Sequence, residues 1–146
     1  MTTMKQMLMA LAALALLGGT GCGMESPTAP PPPKTVALGE DFELAPGQTG
    51  IVGESGLSVV FERVGNDSRC AVDVTCVWEG DAAVALKATA GGQAAGSLDL
   101  HTSTQMGSRV GRYLEFTVTL ESVAPAPHSK DRIKASAYRV VLRITR

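Results

Sequence analysis

From Thr35 to Arg146 apolar residues recur at every second position, and that period rules out most folds at once. Leu57, Val59 and Phe61 alternate with Ser58, Val60 and Glu62. Leu98 and Leu100 alternate with Asp99 and His101, and Tyr138, Val140, Leu142 and Ile144 with Arg139, Val141, Arg143 and Thr145. Side chains of a strand point alternately to its two faces, so each run makes a strand with one buried face. Phe42–Leu44 and Ile51–Val52 add two short runs, punctuated by Pro46-Gly47 and Gly53. The clearest strand runs through Leu114, Phe116, Val118 and Leu120, read as facing inward, with Tyr113, Glu115, Thr117 and Thr119 outward. Gly91-Gly92 is a hairpin signal. Thr102 to Gly111 reads as a long polar loop, Pro125 and Pro127 end a strand, and His128 to Ala135 is a charged connection with room for one helical turn. No run of helical period accompanies these. The pattern predicts an all-β fold: a single antiparallel β-sandwich, Ig-like with about seven strands, or a small barrel, over residues 35–146.

The residues before this domain read differently. Lys5 is a positive start, Leu8 to Leu17 is an uninterrupted apolar run too short for a comfortable membrane span, and Gly18, Gly19, Thr20 and Gly21 lead to Cys22. This order resembles the signal of bacterial lipoproteins, with Gly19 standing where that family usually has Leu. The resemblance implies a signal peptide over residues 1–21, cleaved before a lipidated Cys22. It also implies attachment to a membrane through acyl chains rather than a spanning helix. Gly23, where an Asp would favour inner-membrane retention, points to the outer membrane or cell surface. Residues 22–34 then form the lipidated cysteine and a Pro-rich tether, in which Pro30 to Pro33 favours an extended polyproline spacer.

With Cys22 assigned to the anchor, Cys70 and Cys76 remain as an even pair in an oxidising compartment, and a structural disulfide is expected. A redox pair usually has two intervening residues rather than five, and a metal site would need two more ligands, while His101 and His128 lie far off in sequence. Both cysteines fall in the stretch Asp67–Gly80, DSRCAVDVTCVWEG, with the chain's one tryptophan. Trp78 shares the parity of Ala82, Val84 and Leu86, which predicts a core aromatic near the disulfide. Asp67, Arg69 and Asp73 make the candidate binding loop, displayed by the staple; a solvated loop held by a local ion pair is the competing reading. The block DSRC-x5-C-x-W-x-G resembles a domain of uncharacterised bacterial lipoproteins, in which a proline commonly stands where this chain has Ala71. That resemblance implies export, the disulfide and β architecture, and no activity.

Removing Lys5 with the signal leaves 12 basic residues of 13 against 14 acidic ones, so no basic surface is implied and nucleic acid is not an expected partner. Glu79 and Asp81 read as a charged solvent face, and a cation site from Asp67, Asp73 and Asp81 would need loops to converge. Arg139, Arg143 and Arg146 form an outward row on the last strand. They read as charge protecting a sheet edge, or as a contact strand for lipid headgroups, polysaccharide or an envelope protein. No metal and no cofactor is expected, and no nucleophile elbow appears. The favoured expectation is a non-catalytic, lipid-anchored binding or assembly module of the cell envelope, using loops near Asp67–Asp73 and Thr102–Gly111. The alternatives are an inhibitor of an envelope protease and, less favoured, a hydrolytic enzyme built on His101 or His128.

Overall fold

The structure is a computed structural model that describes residues 29–146; the expected signal peptide, Cys22 and the start of the expected tether lie outside the described residues. Nine strands form two sheets: β1 (Lys34–Val36), β2 (Asp41–Leu44), β3 (Thr49–Val52), β4 (Leu57–Asp67), β5 (Ala82–Ala90), β6 (Gly96–His101), β7 (Val110–Tyr113), β8 (Phe116–Ala124) and β9 (Arg139–Thr145). One sheet has the order β1-β3-β4-β5-β6 and the other β2-β9-β8-β7, so the architecture is an open two-sheet sandwich and not a closed barrel. All pairings are antiparallel except β1 with β3.

The alternation explains the core. Leu57, Val59, Phe61, Val84, Leu86, Leu100, Phe116, Val118, Leu120, Val140, Leu142 and Ile144 are all buried in one cluster between the sheets. Each large side chain so buried stabilises the fold by roughly 1.5–3 kcal/mol relative to exposure. Gly91 and Gly92 both take positive φ, 47° and 77°, in the β5–β6 turn, which a residue with a Cβ adopts only with strain.

Several expectations are corrected. Leu114 does not continue an inward row: it has φ 55° and is exposed, because the chain reverses there between β7 and β8. Tyr113 takes the buried position instead, and the predicted loop ends at Arg109, since Val110 and Gly111 already pair with Thr119 and Val118. The last strand is not an edge: β9 lies between β2 and β8. The local helical turn forms at Ala135–Ala137, beginning on the last residue of the charged segment expected to hold it.

The registers define two ends. β4 runs from Leu57, opposite Ala90, to Asp67, opposite Ala82, and β5 pairs Ala83 with His101. β8 ends at Ala124, opposite Arg139. The segments 68–81, 102–109 and 125–138 therefore gather at one end of the sandwich, and the short turns 53–56, 91–95 and 114–115 at the other. β1 runs parallel to β3, away from the long-loop end, so the chain approaches the sandwich from that end. Lys34 pairs in β1, and Gln48 Nε2 donates to the Pro32 carbonyl (3.0 Å), which holds the last prolines on the domain.

Candidate functional site

The long-loop end is built from polar locks. Cys70 and Cys76 are joined, with S–S 2.07 Å. Arg69 turns inward: its Nε and Nη2 donate to the two oxygens of Asp67 (2.8 and 2.7 Å), Nη1 to the Val123 carbonyl (2.5 Å) and Nη2 also to the Pro125 carbonyl (2.8 Å). Tyr138 Oη donates to Asp67 Oδ2 at 2.9 Å. The disulfide loop is thus clamped to the ends of β8 and β9 through a bidentate, charge-assisted pair. Burial pushes the Asp67 carboxyl up, but the bonds and charge of Arg69 and the Tyr138 hydroxyl outweigh it and hold the group below its ordinary value. Tyr138 moves up, through burial and the carboxylate beside it. Asp73 faces away from this pair, accepting from the Ser129 N–H (2.9 Å) and hydroxyl (2.6 Å), which lower its pKa. The Val72 N–H donates to the Pro127 carbonyl (3.0 Å), so segments 68–81 and 125–138 are tied at three points, through Arg69, Val72 and Asp73.

Gly80 ends the stretch for a steric reason. The arms of the loop close through Ser68 N–H to Asp81 O (2.7 Å) and Cys70 N–H to Glu79 O (2.8 Å). Gly80 sits between them at φ 70°, where a Cβ would run into the Ser68 carbonyl. That turn also rotates the chain before β5 begins, so the parity of Ala82 and Val84 does not reach Trp78. Trp78 is 53% exposed rather than a core aromatic, and Val72, Val74 and Val77 are exposed beside it.

A second lock lies under segment 102–109. Asp81, read from sequence as a solvent-facing charge, is buried. It accepts from the Ser103 N–H (2.9 Å), His101 Nδ1 (2.7 Å) and the Thr102 hydroxyl (3.2 Å). Burial raises its pKa, and these bonds with the nearby imidazole more than offset that, leaving it low. Gly107 lies so close to the His101 ring that a Cβ there would overlap it. Arg109 completes the lock by donating to the carbonyls of Leu120 (3.0 Å) and Glu121 (2.6 Å) on β8. An imidazole oriented by a carboxylate is also part of hydrolytic triads. Here no serine or threonine hydroxyl hydrogen-bonds to the other ring nitrogen among the described residues, and the pair joins the residue just before β5 to the last residue of β6.

The structure separates the other sequence candidates. Asp67, Asp73 and Asp81 each answer to different donors, and no group of three potential ligands gathers for a metal among the described residues. Arg143 pairs with Asp41 (2.7 Å) and lies near Glu121 (3.7 Å). Arg146, at the opposite end, meets Glu115 (3.4 Å) and the face of Phe116. Arg139 donates to the carbonyls of Ser136 and Tyr138. The three are spread over β9 and the residue after it, each engaged with its own neighbours. Sequence reading missed the Asp81–His101 lock and the exposed valines. The first was signalled only by an acid immediately before a strand, and the second by V-D-V-T-C-V-W, whose apolar residues have no strand on which to be buried. No protein-family model, curated protein or solved structure matches the chain.

Proposed function

We propose that this protein is a lipid-anchored, non-catalytic binding module of the cell envelope that works through the long-loop end of its sandwich. One observation carries the reading. At that end the charged groups Asp67, Arg69 and Asp81 are turned inward and satisfied, while Val72, Val74, Val77 and Trp78 face solvent. Rigid loops that expose apolar side chains have little freedom left to lose on binding, which favours association. The export signal and Cys22 supply the address, and the prolines that follow supply the connection.

The test has two parts. Intact-mass measurement on protein extracted from its own membranes should give a chain beginning at Cys22 with added acyl mass. A photo-crosslinking residue in place of Val77 should trap an envelope component that the same residue in place of Ile51, on β3, does not. An unlipidated chain, or equal crosslinking at both positions, overturns the proposal. A second reading rests on Val77, which stands fully exposed next to the disulfide, as a rigid loop offered to an envelope protease would hold it. Stoichiometric inhibition of a protease, lost in Val77→Asp, would favour it.

A further inference from the structure

Nine large apolar residues are exposed on the described domain, and five of them, Val72, Val74, Val77, Trp78 and Met106, belong to the long-loop end. Four of those fall within seven consecutive residues, Val72 and Val74 inside the ring closed by the disulfide and Val77 and Trp78 directly after it. The chain approaches the sandwich from this same end, and Pro32 is already bonded to Gln48. Cys22 is only seven residues before Ala29 in the chain, so at most about 25 Å can separate the two. The adjoining segment, tied to the disulfide loop through Val72 and Asp73, carries the exposed cations Lys130, Arg132 and Lys134; Asp73, Glu79 and Asp131 are the exposed acids nearby, the Asp73 carboxylate being capped by the Ser129 N–H and hydroxyl.

We infer that the long-loop end docks on the bilayer that holds the lipid anchor, with Val72, Val74, Val77 and Trp78 seated at the boundary between headgroups and acyl chains. This rests on the anchored reading above. Tryptophan suits that boundary because its ring is apolar and its indole N–H keeps a polar partner. The flanking lysines and arginine lie at headgroup height, where phosphates favour cations. A loop of four apolar side chains is a weak membrane ligand alone. The anchor makes its docking intramolecular and raises its effective concentration, so the domain lies down on the surface instead of standing off it.

Trp78 is the chain's sole tryptophan, so its fluorescence reports on this loop alone. The full chain is reconstituted in phosphatidylethanolamine–phosphatidylglycerol vesicles, with and without a phospholipid brominated on its acyl chains. Flotation reports the anchor and quenching reports the docking. The expected result is a floating protein with blue-shifted, bromine-quenched emission. Val74→Asp with Val77→Asp still floats, and its docked population falls by about tenfold for each valine replaced. Both valines are exposed, so these changes leave the core intact. Floating protein with unshifted, unquenched emission, or equal quenching in the double variant, overturns the docking and leaves the anchor standing. Quenching without flotation overturns the anchored reading but not the docking. Neither signal overturns both.

Discussion

Replacing Arg69 by Met separates a structural clamp from an ordinary surface charge. The wild-type guanidinium makes four bonds, two to Asp67 and one each to the carbonyls of Val123 and Pro125. The side chains of the pair are 14% and 10% exposed. Removing one partner of a buried pair costs about 3–5 kcal/mol, because the other charge stays behind. Here Tyr138 still bonds Asp67, and the exposed Pro125 carbonyl can be hydrated, so the lower figure of about 3 kcal/mol applies. That is a large part of the roughly 5–15 kcal/mol that holds a domain folded, and lowers the melting temperature by about 10 °C. The control is Arg143→Met. Its partner Asp41 lies at 2.7 Å, but the two side chains are 44% and 47% exposed, and such pairs contribute only about 0.2–1 kcal/mol. Urea unfolding of the oxidised protein, followed by circular dichroism, measures both; Trp78 emission is unsuitable because the ring is already in water. Equal losses in the two variants, within about 0.5 kcal/mol, would refute the reasoning that burial and carbonyl bonding make Arg69 a clamp.

Three further outcomes follow from the same geometry. Asp67, Asp73 and Asp81 all have folded-state pKa values below the ordinary 3.8. Between the folded and unfolded values the unfolded chain holds more protons, so their stabilisation is complete above the unfolded value and is lost as pH falls through the folded one. The urea midpoint should drop steeply below about pH 4, with a shallower slope in Asp81→Asn. Replacing Cys70 and Cys76 together by Ser should cost about 2 kcal/mol, the chain-entropy value for so short a ring, and should raise amide exchange in residues 70–78 more than in the sheets. Gly80→Ala should destabilise by more than about 2 kcal/mol, since it combines positive φ with a clash against backbone, whereas Gly92→Ala, with open space around it, should cost only about 1 kcal/mol; denaturant titration compares the two.

The parts of this molecule that could be read from sequence are those governed by a local rule. Alternation finds the buried faces of β6 and β9, and of β4 as far as Phe61, because parity is kept there; beyond Phe61 irregularities in the β4–β5 register break it. It fails at Trp78 and Leu114 for one reason: Gly80 and Leu114 itself have positive φ, and one such residue rotates everything on its far side. Edge or centre is not a local property either. β9 carries an arginine row that looks protective, but it pairs on both sides, with β2 and β8, which bring Asp41 and Glu121 beside Arg143. Asp81 is hidden for a related reason. A carboxylate is ordinarily placed outside, and only the donors of residues 101–103, about twenty positions on, make its burial tolerable. Arg69 likewise finds its carbonyls more than fifty residues away.

These misses share a direction, and it bears on function. At the long-loop end the usual partition is inverted: an acid and an arginine pair inside, valines and the tryptophan outside. Hydrophobic burial alone would not hold such loops, since their apolar side chains gain nothing from the folded position. The disulfide, the Arg69 clamp, the Asp81 lock and the Gly80 approach hold them instead, and each acts on the backbone or on charged groups rather than on the valines. The exposed face can therefore be changed without disturbing what positions it. Substitutions at Val74 and Val77 should alter association while leaving the unfolding free energy within about 0.5 kcal/mol of wild type, and substitutions at Arg69 or Asp81 should do the reverse in the first instance, moving stability before association. A face whose removal stabilises nothing and destabilises nothing in the free protein, yet weakens attachment, is a face kept for what covers it.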